Sequence, residues 1–90
     1  QAVTTVCSRA EDRHDASEQC HEMLRKSVVM DYAVCWWPND GGIRLRISSR
    51  DDGPSVIPIA KHYGGGGHLH ASGVQLPIDH PVSKDLLQEN

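Results

Sequence analysis

The chain has no phenylalanine, and its aromatic residues are only Tyr32, Trp36, Trp37 and Tyr63. A core in 90 residues must therefore be built from Val, Ile, Leu and Ala. A single domain of this size is marginal by itself, so the expectation is an excised or mature piece of a longer protein. No stretch approaches the roughly 18 consecutive apolar residues of a membrane-spanning helix. The N-terminus also lacks the charged-then-apolar pattern of a signal peptide, and no membrane partner is expected. Basic residues are not in excess: nine Lys and Arg against twelve Asp and Glu leave a formal charge of −3. That weighs against a sequence-independent DNA or membrane binder, which needs a broad basic face. No Cys-x-x-Cys pair exists among Cys7, Cys20 and Cys35, so neither a zinc ribbon nor a dithiol redox motif is supported. An odd number of thiols cannot all pair within a monomer, which favours a reducing cytoplasm.

What charge there is has a place. Residues 43–70 carry Arg44, Arg46, Arg50 and Lys61 against Asp51 and Asp52, together with three of the six histidines. An anion-binding function belongs in that segment.

The periodicities predict an alternation of strands and helices. Ala2 to Cys7, rich in Val and Thr, reads as a first strand. Asp15-Ala-Ser-Glu18 has capping-box spacing, and Ala16, Cys20, Met23, Leu24 and Ser27 fall on one face of a helix running to about Val28. Tyr32–Trp37 reads as a buried strand, Pro38–Gly42 as a turn, and Ile43–Ser48 as its hairpin partner. In that partner Ile43, Leu45 and Ile47 face the core, leaving Arg44 and Arg46 on the other side. Ser55–Tyr63 is a short helix if Pro58 lies in its first turn. Ala71–Leu76 is a further strand, and Pro81–Gln88 begins a last helix. The order β-α-β-β-α-β-α predicts an α/β domain, a small mixed sheet with helices packed on it.

The densest signal is Gly64-Gly65-Gly66-Gly67-His68-Leu69-His70-Ala71-Ser72-Gly73. Four consecutive glycines cost backbone entropy and offer no side chain for packing. A helix C-cap and tight turn explains one or two of them. A loop whose successive N–H groups crowd an anion, with a histidine closing over it, explains all four.

This string resembles the GGGGH-x-x-A-x-G signature of the DHH-associated C-terminal domain of DHH-family phosphoesterases. That domain occurs in RecJ-type exonucleases, in oligoribonucleases that also dephosphorylate pAp, and in cyclic-dinucleotide phosphodiesterases. Gly64 to His68, Ala71 and Gly73 match at each signature position. The lead-in Gly53-Pro54-Ser55-Val56-Ile57, then Ile59-Ala60-Lys61 and Tyr63, is similar to the oligoribonuclease branch. The resemblance covers nearly the whole chain in its order of elements, but the N-terminal third only in pattern. It implies a substrate-binding domain in which Gly64, Gly65, Gly66, Gly67 and His68 contact a nucleotide phosphate. Arg44, Arg46 or Arg50 would add charge-assisted bonds. It further implies that manganese and the catalytic aspartates belong to a separate N-terminal DHH domain, a partner in the same, possibly dimeric, protein. The ligand would be a nucleotide or short oligonucleotide.

Two departures qualify the likeness. With the strand aligned without a gap, Ser48 stands where the family commonly has an arginine; a shift of two residues recovers Arg50 instead. The D-H-H string itself is absent, and Arg13-His14-Asp15 lacks companion aspartates. Two-metal phosphoryl chemistry needs several carboxylates around ions about 4 Å apart, so this chain alone is expected to bind and not to hydrolyse.

Other features have simpler readings. His62, His68 and His70 lack an evident further ligand for zinc. Cys20 and His21 point in different directions on one helix, and Cys35 belongs in the core. Trp36 and Trp37 must face opposite ways, one in the core, the other in the core, against a partner domain, or stacked on a base. The competing functional class is a non-catalytic module for single-stranded nucleic acid, whose affinity would grow with strand length and fall steeply with salt. A third is an interaction domain that has kept the fold and lost the ligand.

Overall fold

The computed structural model describes residues 5–88. Along the chain come β1 (Thr5–Arg9), α1 (Arg13–Lys26), β2 (Tyr32–Asn39), β3 (Gly42–Ser48), α2 (Ile57–His62), β4 (Gly66–His68), β5 (Ala71–Pro77) and α3 (Pro81–Gln88). The five strands form one mixed sheet in the order β1-β2-β3-β5-β4, with β1 parallel to β2 and the remaining pairs antiparallel. This is the expected small α/β domain with one strand more than anticipated: the end of the glycine run is β4, the edge strand. The first strand ends later than expected, and the Ala2–Thr4 part of that expectation lies outside the described residues.

Helix α1 begins three residues earlier than the spacing suggested. Asp12, not Asp15, is the N-cap, and its side chain accepts a hydrogen bond from the Asp15 N–H at 2.8 Å. Asp15 reaches back to accept from the Glu11 N–H at 2.9 Å. Asp12 and Asp15 share the N-terminus: Asp12 satisfies an orphan amide of the first turn, and Asp15 holds the Glu11 amide just before the cap. Of the expected stripe Ala16, Cys20 and Leu24 are buried and Met23 is half-buried, but the helix ends at Lys26, with Ser27 as its C-cap, rather than at Val28.

Strands β2 and β3 make the predicted hairpin around Asp40 and Gly41, both at positive φ (53° and 75°), the geometry that suits a two-residue turn. The sheet carries helices on both faces. On one, α1 packs Ala16, Cys20 and Leu24 against Ala33, Cys35 and Trp37. On the other, Trp36, Ile43, Ile47, Val74 and Leu76 meet Val56 and Ala60 of the α2 region, with Val82 and Leu86 of α3 alongside. Pro58 sits in the first turn of α2, where its missing N–H costs nothing.

Candidate functional site

Helix α1 covers β1 and β2 but not the far half of its sheet face. Residues directly opposite in neighbouring strands share a face, so the register sets out what lies there. One row runs Cys35, Arg46, Gly73, Gly66; the next runs Ala33, Ser48, Ala71, His68. Beyond α1 the floor is therefore Arg46 and Ser48 followed by glycine, alanine and the His68 at the edge. Small residues leave the sheet open at Gly66 and Ala71, while the Arg44 guanidinium covers Gly73. A cleft of about 600 Å³ results. Its walls are His21, Leu24 and Arg25 of α1 on one side and the β4–β5 hairpin on the other, with Arg50 and Asp51 closing an end.

Arg46 and Ser48 are the polar groups of this floor whose needs are unmet. Arg46 Nε and Ser48 Oγ are buried and have no hydrogen-bond partner. An orphan buried donor costs roughly 1–3 kcal/mol, so such a pair at the base of a cleft marks where an acceptor fits. Arg44 shares their sheet face and its guanidinium lies across Gly73, where a Cβ would stand 2.7 Å from Nη2. It is half-buried.

Arg50 is placed differently. Its Nε and Nη2 donate to the Leu24 carbonyl at 3.1 and 2.7 Å, Nη1 donates to the Met30 carbonyl at 2.6 Å, and Nη2 also donates to the Ser27 carbonyl. These bonds tie down the C-terminus of α1 and the turn after it, so the guanidinium is occupied by the protein's own carbonyls. Arg25 is likewise engaged, in an ion pair with Glu22 at 2.8 Å.

The glycine run divides. The Gly64 N–H donates to the Lys61 carbonyl at 3.0 Å and the Gly65 N–H to the Ala60 carbonyl at 2.7 Å. With φ of +82° at Gly64, these two residues cap helix α2, and their amides are not offered to a ligand. Gly65 must also lack a Cβ, which would strike the Gly73 carbonyl and Val74. Gly66 to His68 form the edge strand β4, and an edge strand directs alternate amides away from its partner. A Cβ on Gly66 would meet nothing within 4 Å. His68 is exposed at the rim of the cleft. The four-amide nest expected from the run is thus narrowed to its second half.

His70, unlike His68, is held by the protein. The Ser49 hydroxyl donates to the Pro54 carbonyl at 2.6 Å, which uses its one proton. The contact of 2.9 Å between Ser49 Oγ and His70 Nδ1 must then have the imidazole N–H as donor. This pair locks the tip of the β4–β5 hairpin onto the end of β3. His62 packs edge-on against Tyr63, with ring centroids 4.9 Å apart. Among the described residues no group of three or more His, Cys, Asp or Glu could hold a metal ion.

Trp36 and Trp37 are both buried, in opposite clusters. Arg9 Cζ stands 5.1 Å from the Trp36 ring centroid. Sequence parity separated the two indoles correctly, but the second is core as well. A feature the sequence reading missed is that Cys20 and Cys35, 15 residues apart, bring their sulfurs to 3.5 Å. The cue was present in the inward-facing positions of α1 and β2, which have to meet.

Among the described residues no helix is long and apolar enough to cross a membrane. No family model matches the chain, and no curated protein matches it.

Proposed function

We propose that this domain is the substrate-holding part of a DHH-type phosphoesterase and binds a nucleotide or short oligonucleotide by its phosphate in the cleft beside α1. The observation that carries the reading is the pair of buried, unpartnered groups, Arg46 Nε and Ser48 Oγ, at the floor of the cleft beside Ala71 and His68. A phosphate oxygen accepts from a guanidinium through short charge-assisted bonds. At Gly66, where a Cβ would meet nothing within 4 Å, a flat or bulky group can approach the backbone closely, while Gly73 lies under the Arg44 guanidinium. His68 at the rim supplies a donor from the opposite side, and the outward amides of β4 add to it. In this reading Ser48 and Arg46 together do what one arginine does in the family string, and Gly64, Gly65 and Arg50 build the cleft without touching the ligand. Manganese and the attacking water come from the separate DHH domain, so the isolated chain binds without hydrolysing. A reducing cytoplasm is the compartment that suits the three thiols.

The test is a nuclear magnetic resonance titration of the chain with pAp and with a dinucleotide, repeated on His68→Ala and Arg46→Gln. Shifts concentrated at Arg46, Ser48 and Gly66–His68, weakened in both variants, are the expected result. Absence of shifts there at millimolar ligand would refute the reading.

A further inference from the structure

The base of α1 and the middle of β2 meet at two sulfurs. Cys20 and Cys35 are both buried, and their Sγ atoms are 3.5 Å apart, while the Cys20 thiol also faces the Ala33 carbonyl at 3.6 Å. Two buried thiols in contact are ordinarily apolar filler. This pair differs because one side of it is polar: Cys35 lies directly opposite Arg46 in the ladder, and Ala33 opposite Ser48. The guanidinium Nε and the hydroxyl there have no hydrogen-bond partner of ordinary geometry. A negative sulfur is the acceptor such a place lacks.

From this geometry we infer that Cys20 and Cys35 form a peroxide-oxidisable dithiol, converting to a disulfide that ties α1 to β2 beneath the cleft. The inference does not rest on the proposed function, and a phosphate at Arg46 and Ser48 would compete with the thiolate for the same donors. The contact between the two sulfurs favours a thiolate at Cys20, and Ser48 and the Arg46 charge act in the same direction. Cys35 is pushed upward by the same contact and by burial. With Cys20 taken as the thiolate, which is the nucleophile, Cys35 resolves.

The Cys20 thiolate attacks one oxygen of hydrogen peroxide. A sulfur–oxygen bond forms as the oxygen–oxygen bond breaks, and the departing hydroxide takes up the proton that Cys20 released, giving water. The Cys35 sulfur then attacks the Cys20 sulfenic acid. The sulfur–sulfur bond forms as the sulfur–oxygen bond breaks, and the leaving hydroxide carries away the Cys35 proton as a second water. Two thiols are oxidised by two electrons and the peroxide is reduced. The reverse reaction needs an added dithiol.

The experiment uses the unaltered chain, treated with hydrogen peroxide under native conditions, then denatured and alkylated. Trypsin separates the cysteines, since cleavage after Arg9, Arg13, Arg25, Lys26 and Arg44 puts Cys7, Cys20 and Cys35 on different peptides. The expected product is a Cys20–Cys35 cross-linked peptide pair lighter by two hydrogens than the separate peptides, with Cys7 still alkylatable and the link removed by dithiothreitol. Cys7→Ser should give the same cross-link. Recovery of Cys20 and Cys35 as alkylated thiols, a dimer linked through Cys7 with both intact, or stable sulfinic acid at Cys20 without a cross-link would each overturn the inference.

Discussion

Arg46 and Arg50 are neighbours around one cleft, yet their guanidinium groups stand in opposite conditions. Arg50 is saturated by the carbonyls of Leu24, Ser27 and Met30, whereas Arg46 keeps a buried Nε without an acceptor. Removing each should therefore have opposite consequences. Arg50→Ala strips the cap from α1 and should cost about 2–4 kcal/mol of unfolding free energy, several charge-assisted bonds being lost from a partly buried site. Phosphate binding by the molecules that remain folded should change little. Arg46→Met removes an unsatisfied donor and should leave stability within about 1 kcal/mol of the parent or raise it, while affinity for pAp falls at least about tenfold, one phosphate contact. Urea unfolding and calorimetric titration separate the two effects; a destabilised Arg46→Met with normal affinity would contradict the assignment. The family resemblance expects one of these arginines at the ligand but leaves open which. Strand parity places Arg44 and Arg46 together, and it stops applying after Ser48, where β3 ends. Arg50 then turns to carbonyls 20 to 26 residues away, a partnership no local pattern reports.

Among the elements, the glycine run shows how one sequence feature serves two structures. Gly64 and Gly65 end helix α2; Gly66 and Gly67 begin strand β4. Gly64→Ala forces a side chain into left-handed backbone and should cost about 1–2 kcal/mol. Gly65→Ala should be at least as damaging, since its Cβ would collide with the Gly73 carbonyl. Gly66→Val points into open space and should leave the thermal midpoint nearly unchanged while blocking ligand from the cleft floor. That divergence between stability and binding is the measurement to make, and a Gly66→Val chain that binds normally would remove the bare floor from the argument. At the other end of the domain, Asp12→Ala should cost about 1 kcal/mol as a lost N-cap. Its partner Asp15 has its carboxyl held below the usual 3.8, first by the Glu11 N–H and then by the Gln19 side-chain amide. The support Asp15 lends is complete above that value and fades as pH falls through the lower, folded one; Asp15→Asn should flatten the acid limb of a stability–pH curve. Much of this level was legible. The stripe Ala16, Cys20, Leu24, the Pro38–Gly42 turn and the alternation in β3 all follow from period and turn chemistry. The helix start was misread because Asp12 and Asp15 offer the same capping spacing three residues apart, and β4 was missed because strand propensity is lowest in glycine; only its pairing with β5 makes it a strand.

The whole molecule carries a charge of −3, and this bears on which ligand class the cleft can take. Of the arginines bordering the cleft, Arg25 is paired with Glu22 and Arg50 is bonded to carbonyls, while Asp51 adds a negative charge. Arg46, with Arg44 lying over Gly73, is what remains to neutralise phosphate. About two phosphate contacts to a single strand give a slope near 1.4 in log affinity against log salt, since each contributes about 0.7. Between 50 and 200 mM salt the affinity for a dinucleotide should then fall about sevenfold. A module that tracks a long strand through six contacts would lose about 300-fold over the same range, and its affinity would climb with strand length. Nothing in the net charge or in the cleft's small store of available cations supports the steeper dependence. Binding of a dinucleotide and of a twelve-nucleotide strand, each followed across that salt range, decides between them. Equal, shallow slopes fit a cleft that neutralises about two phosphates. A steep slope confined to the longer strand would move the binding surface out of the cleft and onto the exposed edge of β4.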